Sequence, residues 1–305
     1  MLKPEFAKYF LPIVLILIVG EAVLYAWRRK KFPYKEALTS LMMFVVYQVS
    51  SFGTFKVLSP LFSRIADFRI ASFDMSLWWH WVTLFFGLEF FYYWMHRMSH
   101  EVRWLWASHS VHHSPHTITF SGAYRLSITN LVSGTFLFFT PLYLIGYPVW
   151  AVTGMLALNL FYQFWLHTET IPRLGFLEGI FNTPSNHRVH HSIEPEYIDK
   201  NHGGVLIIFD RIFGTYAAEK VDKPMRYGLI GKAQSFNPFK LFFQEWVALI
   251  GDLRKARTWL GFLKACFGSP GSSFKANQDP LEKDDGQERL NLVYHRGEEE
   301  LSSGR

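Results

Sequence analysis

The chain has 305 residues, half of them hydrophobic, with aromatic and charged residues each at 18% and a formal net charge of +6 at pH 7. A soluble domain carries about 25% charged residues, so this composition argues against that class and for a membrane protein. Its Lys and Arg form no basic stripe interleaved with exposed aromatics, which argues against a nucleic-acid partner and for anionic lipid headgroups, while the single cysteine, Cys266, excludes intrachain disulfides, Cys-rich zinc sites and Cys-ligated iron–sulfur clusters.

In chain order, the first apolar run, 9–27, continues through bulky residues into Arg28, Arg29, Lys30 and Lys31. It therefore reads as a retained anchor rather than a cleaved signal, with its basic end in the cytoplasm. Glu21 within it is an ionisable group at membrane depth, read as a buried contact between helices. Runs 37–62 and 77–95, separated by a loop at 63–69, are each near the roughly 20 residues of a spanning helix. The third run delivers His96 and His100 to the cytoplasmic face, where a polar stretch carries His109, His112 and His113. Runs 128–147 and 148–166, joined by the turn signal Ile145-Gly146-Tyr147-Pro148, form a hairpin that returns at His167. His187, His190 and His191 follow without a further crossing. Residues 203–216 are apolar but too short to span, 236–267 reads as an interfacial amphipathic helix, and the chain from 268 is polar and expected to be disordered.

These runs predict an all-α fold: an integral membrane helical bundle of about five spanning or hairpin helices with a cytoplasmic histidine-rich helical cap. Its parts are N-terminal transmembrane helices (1–76), a histidine-box domain (77–235), the interfacial helix (236–267) and the tail (268–305).

Residues three and four apart share a helix face, so each histidine cluster is expected to aim its imidazoles in one direction. One lone histidine is usually an ordinary polar residue, but eight in three clusters of metal-ligand spacing point to metal. Neutral imidazole suits iron, zinc, copper and nickel. One ion cannot use so many ligands, whereas a pair can, and paired ions are an established catalytic device. A redox pair at the mouth of a membrane bundle reaches lipids, and attack on an unactivated C–H bond with O2 requires such a metal. No dinucleotide fingerprint, haem-attachment motif or cysteine cluster is present, so electrons must come from outside. Other classes stay open at this point: a lipid or sterol desaturase with the same centre, a non-enzymatic haem- or metal-binding membrane protein, or a zinc hydrolase. Haem needs one or two axial histidines, a zinc hydrolase three ligands, and a transporter would spread its ligands through the bilayer.

The segments His96-Arg97-Met98-Ser99-His100, His109-Ser110-Val111-His112-His113 and Asn186-His187-Arg188-Val189-His190-His191 resemble the histidine boxes of the fatty acid hydroxylase and sterol desaturase superfamily, over roughly 86–216. Phe181-Asn182-Thr183-Pro184-Ser185, Asp199-Lys200-Asn201-His202-Gly203-Gly204 and Asp210-Arg211-Ile212-Phe213-Gly214-Thr215-Tyr216 are most similar to its alkylglycerol monooxygenase branch and bacterial relatives. The resemblance implies a membrane-bound, O2-dependent lipid hydroxylase with two iron ions, which zinc can replace on isolation. Its ligands would be His96, His100, His109, His112, His113, His187, His190 and His191, with His167 between the boxes. Electrons would come from a reductase, cytochrome, ferredoxin or reduced pterin, and the site would face the cytoplasm, at a bacterial inner membrane or at the endoplasmic reticulum in a eukaryote.

Some superfamily members carry a histidine where this chain has Gln163, which is expected to hold a water or a hydrogen bond on the His167 face. His202 is expected to have a hydrogen-bonding or lid role outside the ligand set. Glu89, Glu101, Glu169 and Asp199 are candidates to orient imidazoles. His80 reads as interfacial, His116 and His295 as ordinary surface or tail residues, and the aromatic runs 90–94 and 136–139 as collective lining of an acyl channel.

Overall fold

Apolar segments withdrawn from water must pair every backbone N–H and C=O, and a helix does so within one segment. The computed structural model, which describes residues 4–220 and 222–270, has helices as its regular structure, joined by turns and loops. Its helices are α1 (Pro4–Trp27), α2 (Tyr34–Asp67), α3 (Trp78–Glu101), α4 (Arg103–His109), α5 (Asn130–Ser133), α6 (Thr140–Ile145), α7 (Val149–Phe164), α8 (Pro184–His191), α9 (Ile208–Ile212), α10 (Pro238–Lys255) and α11 (Trp259–Phe267), with short 3-10 turns between some of them. Among the described residues, β pairing is confined to two isolated bridges, Phe181 with Leu206 and Ser192 with Tyr227. The expected disordered tail beyond residue 270, His295 included, lies outside the described residues.

The first two helices turn many apolar side chains outward, and α2 buries a polar stretch at its start. α1 buries Val14, Ile18, Glu21 and Tyr25, one stripe at helical spacing, and exposes Ile16, Val19, Val23 and Trp27. α2 buries Glu36, Thr39 and Ser40 and exposes Val45, Val49, Phe52 and Val57. So many large apolar groups turned outward depart from the soluble pattern. Among the described residues α2 is the helix long and apolar enough to cross a membrane; Pro12–Trp27, Thr135–Ile145 and Val149–Phe164 are shorter apolar stretches.

Two expected boundaries shift. Helix α2 runs through Pro60 to Asp67, so most of the expected loop at 63–69 is helical; Leu58 and Phe62 on either side of the proline both bury in the core, which holds the helix together. The first leg of the expected hairpin is broken into α5, a 3-10 turn and α6. Gly134 (φ +78) and Gly146 (φ +127) end those pieces in backbone conformations that side chains disfavour, and a Cβ on Gly146 would lie 2.3 Å from the Ala71 carbonyl oxygen. The second leg is α7. Leu58 and Phe62 of α2, Leu84, Leu88 and Tyr92 of α3, Leu142 and Tyr143 of α6 and Ala151 and Val152 of α7 form the main core.

Residues 236–267 resolve into α10 and α11 rather than one helix. One face of α10 caps α4, with Trp246 edge-on to Trp104 at 5.0 Å and its indole N–H donating to Thr129 Oγ1 at 2.9 Å. Phe239 and Val247 on α10 stay exposed.

The segment after Asn201 packs closely on α3 and α7. A Cβ at Gly204 would lie 2.3 Å from Asn159 Nδ2 and 3.0 Å from Tyr92 Cδ1. Asn159 cannot retreat, because its amide donates to the buried Glu89 carboxylate and accepts from Gln163 Nε2 at 2.6 Å. Gly204→Ala is therefore expected to destabilise the fold by about 1–3 kcal/mol, the usual cost of overpacking. A thermal melt in detergent checks this, and an unchanged Tm would contradict the close approach.

Candidate metal centre

Helix α3 carries His96 and His100 one turn apart at its C-terminal end, and the chain turns at Val102 into α4, which ends at His109; His112 and His113 lie in the turns that follow. Helix α8 begins with Pro184 after Thr183, whose hydroxyl accepts the Asn186 N–H at 3.3 Å as an N-cap. That cap fixes the register of His187, His190 and His191 over the two turns that follow.

All nine candidate histidines converge, in two groups. His96, His100, His109, His113 and His190 form one, and His112, His167, His187 and His191 the other; within each group one nitrogen per ring lies within 4.8 Å of every other. The groups adjoin, the His113 and His191 rings stacking at 4.3 Å. The expectation that each cluster aims in one direction fails for the second and third boxes. Their first and last histidines, four residues apart, stay together, while His112 and His190 reach the opposite group. Successive residues on a helix are turned by about 100°, so the adjacent pair at the end of each box diverges.

The rings face one another through Nε2. His109 Nε2 lies 3.0 Å from that of His96 and 3.2 Å from that of His113. In the other group His167 Nε2 lies 3.1 Å from that of His112 and 2.9 Å from that of His187, which is 3.0 Å from that of His191. His96 Nδ1–H donates to the His202 carbonyl at 2.8 Å, His190 Nδ1–H to the Lys200 carbonyl at 3.0 Å and His167 Nδ1–H to the Gln163 carbonyl at 2.9 Å. Those bonds leave the Nε2 of these three rings as bare lone pairs. The buried Nε2 atoms of His100 and His190 have no hydrogen-bond partner. Crowded lone pairs repel unless a cation lies among them, and about 3 Å is the separation of neighbouring nitrogens each about 2.1 Å from a shared ion. The donor set fits iron or zinc.

Burial keeps these rings neutral. It drives His109, His113, His187, His190 and His191 well below the ordinary histidine range, with neighbouring imidazoles adding to the effect. Burial likewise lowers His112 to about 3 and His167 to about 4.

The other candidates divide. Gln163 accepts from Tyr92 Oη at 2.9 Å and donates to Asn159, so its side chain points away from the imidazoles and only its carbonyl serves His167. Of the four carboxylates expected to orient rings, Asp199 alone approaches one, 3.6 Å from His100 Nδ1. Glu101 pairs with Arg97 at 2.8 Å, Glu169 faces Tyr25 Oη at 3.5 Å, and Glu89 accepts the N–H groups of Val205 and Leu206 at 2.8 Å each. Glu21 takes the Phe120 N–H at 2.8 Å and the Thr168 hydroxyl at 2.5 Å, a helix contact that reaches the residue after His167. His202 is fully buried beside the first group, its ring 5.1 Å from that of His100. His116, expected to be an ordinary surface residue, donates its backbone N–H to buried Glu36 at 2.8 Å. His80 sits in the first turn of α3 with Nδ1 2.6 Å from the Asp74 carbonyl. Sequence reading did not foresee the part of Asp210, which accepts the N–H groups of His202 and Gly203; its one signal was a carboxylate inside an apolar run.

With this geometry in place, the comparisons with known proteins agree. Residues 81–215, which hold the histidine boxes, match the fatty acid hydroxylase family. Among individual relatives, human alkylglycerol monooxygenase is 40% identical over 274 residues, 88% of this chain and 60% of that protein. The Xenopus tropicalis alkylglycerol monooxygenase is 35% identical over 86% of this chain and 57% of its own length. Ornithine lipid hydroxylase OlsE of Rhizobium tropici is 32% identical over 50% of this chain and 47% of its own. The chain thus spans about half to three fifths of the alkylglycerol monooxygenases it matches, from 46% to 60% of their length. No solved structure matches it.

In metal-stripped protein the unfolded histidines protonate near 6.5, while folded His167 resists protonation down to about 4. Between those values the unfolded chain binds more protons than the folded one, so stability is full above about 6.5 and falls as the pH drops towards 4. Thermal melts of the stripped protein across that window should show a steadily declining Tm; a flat profile would mean the rings are not buried as described.

Proposed function

We propose that this chain is a membrane-bound, O2-dependent lipid hydroxylase whose nine histidines hold two iron ions. The observation that carries the reading is the convergence of the imidazoles into adjacent groups of five and four. Haem would use one or two of them and a zinc hydrolase three. The relatives that bear activities in their names are a monooxygenase and lipid hydroxylases.

When bound, the ions supply O2 activation and attack on a C–H bond, which side chains cannot perform. The protein's part is to hold and shield. His96, His100, His109, His113 and His190 would grip one ion, and His112, His167, His187 and His191 the other. Backbone carbonyls at Gln163, Lys200 and His202 fix the ring tautomers, and burial excludes protons and water from the rings. The substrate would be a membrane lipid delivered along the apolar outer faces of α1 and α2. A cleft of about 540 Å³ bordered by Arg28, Glu169, Arg188 and Tyr227 adjoins the four-histidine group through the segment that follows His167 and offers room for a polar headgroup. Electrons would come from a reductase, cytochrome, ferredoxin or reduced pterin. The basic run 28–31 supports a site on the cytoplasmic face.

His112→Ala and His190→Ala remove one ring from each group. Each is expected to lower lipid hydroxylation more than about 100-fold, beyond what loss of an outer partner does, while the protein still inserts into membranes. Mass spectrometry of lipids from membranes carrying the intact chain or either variant provides the measurement, the product being the substrate plus one oxygen. Undiminished hydroxylation in a variant, or loss of two hydrogens in place of gained oxygen, would overturn the reading.

A further inference from the structure

We propose that Asp210 is a positioning residue that builds the five-histidine group selectively, acting through the loop 199–203. This rests on the metal-centre reading above and assigns part of its assembly to a residue that touches no imidazole nitrogen within hydrogen-bond reach.

The loop acts as a common reference for three rings that come from two helices. Its Lys200 carbonyl accepts from His190 on α8, its His202 carbonyl accepts from His96 on α3, and its Asp199 carboxylate lies 3.6 Å from Nδ1 of His100 on α3. All three belong to the five-histidine group. Among the described residues no hydrogen bond joins this loop to an imidazole of the four-histidine group, where His167 takes its orientation from Gln163 instead. A displacement of the loop therefore disturbs one group and spares the other.

Such a loop does not hold its shape unaided. Asp199 and Asn201 both have left-handed backbone conformations, φ +55 and +58, uncommon for residues with a Cβ although Asp and Asn adopt them most readily, and their hold on neighbouring groups selects the conformation here. Asp210, fully buried on α9, anchors the loop. Its two carboxylate oxygens take the N–H groups of His202 and Gly203 at 2.7 Å each, and Oδ1 also accepts the Thr215 hydroxyl at 2.7 Å. Thr215 in turn lies 3.0 Å from Tyr93 Oη on α3, so the anchor is tied to the helix whose histidines it serves. Asn201 forms a second clamp: its N–H donates to the Thr215 carbonyl at 3.0 Å, and its side chain donates to the carbonyls of Asn186 and Ala217 and accepts the Ala217 N–H at 2.9 Å. Gly203 completes the fit, since a Cβ there would lie 2.2 Å from the Leu206 carbonyl oxygen.

The test is Asp210→Asn in the full chain. The variant keeps the shape but turns one acceptor oxygen into an amide donor facing a backbone N–H. Purified protein reconstituted with ferrous iron is assayed for bound metal by elemental analysis and equilibrium titration. Wild type is expected to hold two ions per chain. In Asp210→Asn, affinity at one site should fall about 10- to 100-fold, the range for loss of an outer partner, while the other site keeps its wild-type affinity. The affected site is identified in two further backgrounds: Asp210→Asn should weaken the ion remaining in His167→Ala and leave unchanged the ion remaining in His100→Ala. Thr215→Val, which removes the hydroxyl that Asp210 accepts and the tie to Tyr93 on α3, should reproduce the one-site loss if Asp210→Asn does not fold. Two ions at wild-type affinity in the variants, or equal weakening of both sites, would overturn the proposal. A wild-type chain that binds no metal would instead remove the reading on which it rests.

Discussion

The structure depends on a crowd of imidazole lone pairs held about 3 Å apart away from water. In an empty protein this arrangement is unfavourable, because neither protons nor solvent relieve it: burial pushes protonation of His112 down to about 3 and of His167 to about 4. Everything around the rings counteracts their tendency to separate. Backbone carbonyls seize the outward nitrogens, α8 is capped at a fixed register, and the aromatic and aliphatic core between α2, α3, α6 and α7 gives the cap a rigid floor.

A second layer explains why so many carboxylates lie within an apolar protein. Glu21, Glu36 and Glu89 sit on the long helices, yet each accepts backbone N–H groups or hydroxyls from the cap: Phe120 and Thr168, His116 and Thr117, Val205 and Leu206. Loops lack the internal pairing of a helix, so their N–H groups need acceptors when buried. Here the helices provide them as carboxyl oxygens of Glu21, Glu36 and Glu89. The carboxyl groups buried on these helices thus follow from one requirement, that the helices hold the cap from below.

Much of this was legible in the chain. Hydrophobic run lengths located α1, α2, α3 and α7, and the histidine spacing selected eight of the nine rings that converge, isolated His167 being added by the family resemblance. The misread parts share a physical cause. Helix α2 continues past Pro60 because Leu58 and Phe62 bury together, a tertiary contact that no local rule reveals. The leg before Gly146 breaks because two glycines adopt positive φ where run length alone suggested one helix. Glu89 lies on the side of α3 that a metal-orienting carboxylate would need, yet its partners are loop amides some 116 residues away in sequence. Gln163 likewise shares the His167 face in register, but its side chain is drawn off by Tyr92 and Asn159. Helical spacing tells which way a side chain leaves the backbone and nothing of which distant partner claims it.

The exchange of His112 and His190 between the two groups bears on how the molecule is put together. Neither group is complete until chain separated by some 75 residues has met: His190 joins His96, His100, His109 and His113, and His112 joins His167, His187 and His191. The two groups differ before that meeting: His96, His100, His109 and His113 all lie on α3, α4 and the turns just after, whereas His112 waits for His167, His187 and His191, and both groups reach full membership when α8 docks. Docking of α8 then doubles as a checkpoint on assembly of the imidazole cluster, since that one helix finishes both groups at once.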